Sequence, residues 1–309
     1  MKKVYKFQNQ NGKYLRGILY SPDNDTGLKQ KMVFVFPNGG VMGAEGDYRA
    51  YVSMARQILS EGYYTFRFSP EGLGYSDGDI PDCAQKSLFN KIENGLFVND
   101  IKAAVKFVSS LDFFSSIILV GVCGGAISSF IATAEIKEVE RVVPIGIPVI
   151  LDDPAMDYDQ RILSLDKQYI TRQYLDKIFS FSSWIKLLSG KSNIRHLFGI
   201  LKSLFQKKHS YLSNEKTNNG DQDKSKFTPN PLFFEVALKL FKNRKKILFV
   251  FGDTDGFWWE FQTLFLNKFY LNDENRPFDI YISKNSNHML SLTEMQIDVT
   301  NEILSWVKR

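Results

Sequence analysis

The stretch Ile118-Leu119-Val120-Gly121-Val122-Cys123-Gly124-Gly125-Ala126 decides the fold. An apolar, β-type run stops abruptly at Gly-Val-Cys-Gly-Gly. A small-residue, helix-prone segment follows, Ala126-Ile127-Ser128-Ser129-Phe130-Ile131-Ala132-Thr133-Ala134. The order is strand, sharp turn, helix. Gly-x-Cys-x-Gly at such a turn reads as a nucleophile elbow, with cysteine where serine is expected. The glycines answer a steric need, because side chains two positions either side would collide with the adjoining strand and helix. Alone, the motif is weak, since buried cysteines after strands are common.

Working outward, other strands and helices fall into alternation. Apolar runs over 32–36, 63–68, 141–149, 247–251 and 278–283 read as strands, alongside 116–122. Helices are expected at about 47–61, with Asp47 as its cap, and at about 93–111, 257–270 and 292–308. Residues 4–9 and 13–20 read as a hairpin around Gln10-Asn11-Gly12. Strand alternating with helix implies an α/β fold: a mostly parallel central sheet flanked by helices on both faces.

The alternation breaks between 151 and 246. That segment holds 18 Lys and Arg against 10 Asp and Glu, so it is basic while the remainder is mildly acidic. It reads as helices at about 158–168, 171–189, 194–207 and 231–243, with a mobile polar loop near 208–230. The expected organisation is a sheet core from 1–150 and 246–309, with 151–245 inserted as a helical cap.

The chain of 309 residues, 44% hydrophobic, is long enough for one large domain with an insertion. A net charge of +5 is not a nucleic-acid signature, and the basic residues do not interleave with aromatics in a recognised motif. Cys83 and Cys123 are the only cysteines, too few for a disulfide framework. A thiol that must stay reduced, with no signal-peptide core after Met1, leads to a cytoplasmic expectation. No metal signature and no P-loop is present, and Gly72-Leu73-Gly74 lacks the third glycine of a dinucleotide fingerprint, so no cofactor is expected.

Three chemically competent groups fall after successive predicted strands: Cys123, Asp255 and His288. Catalytic groups of open α/β sheets gather at that edge. His288 would take the thiol proton and later protonate a leaving group. Asp255 would hold the imidazole tautomer, and Cys123 would attack an acyl carbonyl. Asp253 competes with Asp255 for the acid, the plainer role being a cap for the following helix. An oxyanion hole would draw one N–H from Gly124. The other would come from Gly40 or Val41, after Gly39. Phe257 and Trp258 stand beside the acid as candidate pocket walls, though such aromatics more often pack in cores. His196 and His209 fall in the cap and read as surface residues. Glu71 and Asp77 read as turn-shaping, and Cys83 as an unreactive thiol.

These residues resemble the α/β-hydrolase superfamily, in its serine-aminopeptidase-like and lipase-like branch. The likeness covers nearly all of 30–150 and 245–308. It is carried by Pro37-Asn38-Gly39-Gly40, Phe66-Arg67-Phe68-Ser69-Pro70-Glu71-Gly72-Leu73-Gly74-Tyr75-Ser76-Asp77-Gly78, the elbow, Gly252-Asp253-Thr254-Asp255 and Asn287-His288. Ser69 stands where the family's loop has Asp. A narrower likeness, carried by 122–126, 174–177 and 184–191, is to hydrolases associated with exosortase and exopolysaccharide systems, which also place cysteine at the elbow. The superfamily resemblance implies activity on esters, thioesters or amides.

A cysteine changes the expected chemistry. Attack gives an enzyme-bound thioester, close in energy to an incoming thioester, so ordinary amides are poor substrates. The expected function is a hydrolase or acyltransferase on ester or thioester acyl substrates, through Cys-His-Asp and an acyl-thioester intermediate. The alternatives are a thioesterase editing carrier-bound acyl chains and a non-catalytic binding protein on the same scaffold. The cap stripe Ile194, Leu197, Phe198, Leu201, Leu204 and Phe205, ringed by Arg195, Lys202, Lys207 and Lys208, reads first as core packing. Its second reading is a surface for an acidic carrier protein or an anionic membrane.

Overall fold

The computed structural model describes residues 1–22, 32–37, 40–111, 114–151, 228–267 and 276–309. Eight strands form one sheet: β1 (Lys2–Gln8), β2 (Tyr14–Tyr20), β3 (Met32–Phe36), β4 (Tyr64–Ser69), β5 (Ser116–Val122), β6 (Val139–Ile145), β9 (Lys246–Gly252) and β10 (Asp279–Ser283). Their order across the sheet is β1-β2-β4-β3-β5-β6-β9-β10. A separate two-residue pair joins β7 (Ile150–Leu151) to β8 (Thr228–Pro229). The first two strands form an antiparallel hairpin and β2 is antiparallel to β4, while all later neighbours are parallel.

The burial of each strand follows from its place. All five residues of β3 are buried, as in a strand covered on both faces, and its sequence Met-Val-Phe-Val-Phe shows no alternation. Strand β2 near the edge alternates instead, burying Leu15, Gly17 and Leu19. The chain order reverses around β3: β4 lies on one side of it and β5 on the other. Such a switch opens a crevice at the carboxyl ends of the strands.

Among the described residues the α-helices are α1 (Ala50–Ser60), α2 (Gln85–Glu93), α3 (Val98–Ser109), α4 (Gly124–Glu135), α5 (Pro231–Lys242), α6 (Gly256–Phe261) and α7 (Thr293–Val307). The pair α1 and α7 pack together, and α4 is flanked by α2, α3 and α5. Asn230 caps α5 by accepting from Leu232 and Phe233 N–H, with Pro231 at the first helical position. The sequence pattern makes α5 the last helix of the cap, yet its Phe233 ring stacks on Phe130 of α4, at 5.3 Å between centroids. Phe249 and Phe261 meet at 4.7 Å in the same aromatic cluster. Each fully buried ring contributes about 1.5–3 kcal/mol.

Three elements differ from expectation. The helix expected over 93–111 runs over Val98–Ser109, and a separate, unexpected helix, Gln85–Glu93, precedes it across a turn in which Gly95 takes φ 94°. The helix expected from Asp47 begins at Ala50, after a tight turn in which Tyr48 and Arg49 are left-handed. Beyond Phe261, α6 widens into a π-helical turn over Gln262–Leu266. The cap helices expected within 158–207, and most of the polar loop after them, lie outside the described residues. So do His196, His209 and the 174–191 stretch of the narrower likeness.

Candidate active site

Strand β5 ends centrally in the sheet, and Cys123 follows it with φ 54° and ψ −118°. Only a tight local frame holds a non-glycine residue there. The Cys123 N–H donates to Ile145 O of β6 at 2.9 Å, and its carbonyl accepts from Ala126 N–H at 2.9 Å, which starts α4. The glycines do what the sterics require. A Cβ on Gly121 would sit 2.2 Å from Gly125 O. One on Gly124 would sit 2.7 Å from Gly40 Cα and 3.4 Å from Gly40 N. The backbone after β3 therefore lies directly against the residue after Cys123. Val41, the alternative donor, packs its side chain on the cluster of Leu73, Leu88, Phe89, Ile92 and Phe97.

His288 and Asp255 come from the loops after β10 and β9. The imidazole Nδ1 lies 3.1 Å from both carboxylate oxygens of Asp255. Asp255 is 2% exposed. Its Oδ1 also accepts the Phe257 N–H at 2.9 Å, so the same carboxylate caps α6. Asp253 serves the loops instead. Its Oδ1 accepts Ser286 N–H at 3.1 Å and ties the two together. With Nδ1 donating to Asp255, Nε2 is the nitrogen left for the thiol. Nε2 is buried and lacks a partner at full hydrogen-bond geometry, yet the thiol is near enough to act on the ring's protonation. Such contacts tighten when a substrate arrives. Burial by itself lowers the His288 pKa. The Asp255 carboxylate and Cys123 beside it outweigh that and hold it well above the ordinary imidazole value.

The two aromatic candidates separate. Phe257 is buried and meets the His288 ring edge-on at 4.4 Å. Trp258 instead packs toward the core, 5.4 Å from Phe251 and 6.2 Å from Phe261. Glu71 and Asp77 lie in turn structure: Asp77 pairs with Arg16 at 2.7 Å, and Glu71 Oε2 accepts from Asn9 Nδ2 at 2.8 Å. Ser69 Oγ accepts the Ala44 N–H at 3.2 Å. Cys83 is half-buried beside the Leu73 cluster, and neither cysteine is in a disulfide.

Three residues at the site are not reached by sequence reasoning about the chemistry. Gly146, at φ 58°, has no room for a side chain, since a Cβ would lie 2.8 Å from His288 Nδ1 and 3.1 Å from Asp255 Oδ2. Its signal is present in Pro144-Ile145-Gly146-Ile147-Pro148, a glycine between prolines at a strand's carboxyl end. Tyr51, fully buried, takes the Val122 N–H on its hydroxyl at 2.8 Å. Asp47 does not cap α1, which has no side-chain cap. Burial raises the Asp47 pKa and the charge of His288 opposes that rise, so this carboxylate stands within the histidine's field. Among the described residues no cluster of His, Cys, Asp or Glu could hold a metal ion, and no helix is long and apolar enough to cross a membrane.

A hairpin leading into six parallel strands, with the chain order reversing around β3 and an elbow closing β5, defines the α/β-hydrolase fold, and this chain has it. Solved structures of that fold superpose on it over nearly their whole length. It is similar to the α/β hydrolase GrgF from Penicillium sp. sh18, with a TM-score of 0.58, 16% identity, and coverage of 100% of this chain and 98% of that one. It is similar to the esterase Pf2001 of Pyrococcus furiosus, with a TM-score of 0.59, 14% identity and coverage of 100% and 90%. Est1E from Butyrivibrio proteoclasticus, solved with ferulic acid bound, gives a TM-score of 0.55, 17% identity and coverage of 99% and 100%. Neither a protein-family model nor a curated protein matches the sequence.

Proposed function

We propose that this protein is an acyl-transferring hydrolase that uses Cys123 as nucleophile, His288 as acid–base and Asp255 as the group that orients it. The observation that carries this reading is the imidazole set between a buried carboxylate and an elbow thiol. The structural neighbours named as esterases and hydrolases support ester cleavage in general. A raised His288 pKa keeps the imidazole charged and able to protonate a leaving group, and the Cys123 sulfur stands at a helix N-terminus, where developing negative charge is favoured.

The steps follow from those positions. The Cys123 sulfur attacks the acyl carbonyl, and the carbonyl's π electrons move to its oxygen. That oxyanion accepts the Gly124 N–H and an N–H from Gly40 or Val41. Collapse breaks the bond to the leaving group, which takes a proton from His288. The acyl group now sits on sulfur as a thioester. Water, or an acceptor alcohol, amine or thiol, gives its proton to His288 and attacks, releasing Cys123. Phe257 backs the imidazole throughout. Since the intermediate is itself a thioester, thioesters and activated esters are the substrates of choice.

The experiment compares wild type with Cys123→Ser and Cys123→Ala on an acyl-thioester and an aryl ester. The alanine variant is expected to lose about 10³-fold or more in kcat/KM, from the scale of losses on removing a nucleophile. Unchanged turnover in both variants removes Cys123 as nucleophile, whereas no turnover by the wild type on either substrate leaves the binding-protein reading. Selective alkylation of Cys123 over Cys83 by iodoacetamide separates the two readings without a substrate. A thioesterase editing carrier-bound chains is a form of the same chemistry, with water as the acceptor and a carrier thiol as leaving group.

A further inference from the structure

We propose that Gln296, on the last helix, is a positioning residue that sets the imidazole of His288 against Asp255 and Cys123; this rests on the function proposed above. Gln296 is 3% exposed, a polar side chain buried at the first turn of α7. Its Nε2 donates to Leu290 O at 2.9 Å and to Tyr48 O at 3.4 Å. These carbonyls belong to two different loops of the site. Leu290 closes the turn that carries His288: its N–H donates to Asn287 O, and Asn287 and Ser291 bond each other across the turn. Tyr48 follows Asp47 on the loop that runs from the oxyanion-hole segment to α1.

Both carbonyls sit in strained backbone. Leu290 has φ 48°, Tyr48 has φ 48°, and Arg49 has φ 57°. Non-glycine residues stay in this region only when neighbours hold them. One amide with two N–H donors can hold two carbonyls at once, which a hydroxyl cannot. Gln296 itself is anchored in α7, where its carbonyl accepts Thr300 Oγ1 at 2.6 Å. A rigid helix therefore ties the histidine turn to the Asp47 loop. The titratable groups facing His288 are Asp255, Cys123 and, more distantly, Asp47. Two of the three stand on segments that Gln296 does not touch, so releasing the histidine turn changes the distances between them and the ring.

Three histidines make the His288 titration separable by NMR. In Gln296→Met, which keeps the length and loses both donors, the His288 titration is expected to move down toward the ordinary imidazole range. Alkylation of Cys123 and kcat on the aryl ester are expected to fall about 10-fold, with KM little changed, on the scale of a small misplacement of a catalytic group. Gln296→Asn, with the donors on a shorter arm, should move the titration the same way and serves if the methionine variant does not fold. Thr300→Val loosens the same helix without freeing either carbonyl and should leave the titration in place. A His288 titration unmoved in both Gln296 variants, or moved as far by Thr300→Val, overturns the role of Gln296. A wild-type Cys123 no more reactive than Cys83 overturns the thiol chemistry, and the Gln296 role with it.

Discussion

Cys123 holds φ 54° and ψ −118° because everything around it leaves no other path. Five of the six non-glycine residues with positive φ among the described residues lie on loops of this site: Tyr48, Arg49, Cys123, Asn285 and Leu290. Each costs on the order of 1–3 kcal/mol, and their clustering marks where the fold gives up stability for geometry. Gly146 extends the argument. Gly146→Ala meets both a positive φ and the imidazole itself. Its expected effect is a loss of about 1 kcal/mol of stability and about 10²-fold in kcat, from forcing a side chain into an incompatible conformation and misplacing a catalytic group. A kcat within about twofold of wild type, with the thermal midpoint lowered, would show that the glycine serves folding alone.

His288 also links the site to stability. Its folded pKa is raised above the value of about 6.5 in an unfolded chain. The fold therefore favours the imidazolium. That contribution is fully present below about pH 6.5 and is lost as pH rises through the folded pKa. Urea unfolding of wild type and His288→Gln across that range should show the wild-type advantage shrinking with rising pH. An advantage that grows with pH has the wrong sign for this account.

At the scale of elements, β5 outlasts its neighbour. The last β3–β5 register pair is Val35 with Leu119, so the Val122 N–H has no partner strand on that side. The hydroxyl of Tyr51, reaching across from α1, replaces it at 2.8 Å. Its ring lies 5.2 Å from that of Phe36, at the end of β3. Tyr51→Phe strands a buried N–H and should cost about 1–3 kcal/mol, read as a lower urea midpoint. Since Val122 precedes Cys123, alkylation of Cys123 should slow in the same variant. An unchanged midpoint means that another acceptor takes over. The histidine loop has a comparable support: Ser283 Oγ bonds Ser286 Oγ at 2.5 Å and Asp298 at 2.6 Å, and Tyr281 donates to Asp298 at 2.9 Å. Burial and that carboxylate push the Tyr281 pKa up to about 12.

For the whole molecule, the charge is unevenly placed along the chain. The segment 151–246 carries 18 of the 39 Lys and Arg and only 10 of the 34 Asp and Glu. If the proposed acyl transfer holds, such a basic segment would suit an acidic carrier protein or an anionic surface, through interactions that salt screens. Reversing Lys202, Lys207 and Lys208 to Glu should weaken retention on anionic vesicles or an acidic carrier and remove its salt dependence. Identical retention by the reversed variant would leave those lysines as solvating charge. Small aryl esters, which need neither partner, should be turned over at the wild-type rate.

In the residues alone, the alternation of apolar runs with helical segments is enough to define a parallel α/β sheet, because strands buried on both faces need continuous apolar sequence. The spacing of Gly121, Cys123 and Gly125 locates the turn, since only glycine fits beside that backbone. Chain order then suggests Asp255 and His288. What pattern cannot reach is anything set by contact between distant segments. Asp253 and Asp255 are both aspartates after one strand, and only the packed loops show which one faces the imidazole. Asp47 looks like a helix cap in sequence, yet strained backbone at Tyr48 and Arg49 delays the helix and leaves Asp47 within the field of His288. Tyr51 and Gln296 carry no local signature of a place at the site, and the glycine between prolines at Gly146 marks a turn without showing what it faces. Their places near Cys123 and His288 arise from long-range contacts, which no window of sequence contains and which only the assembled sheet and helices bring about.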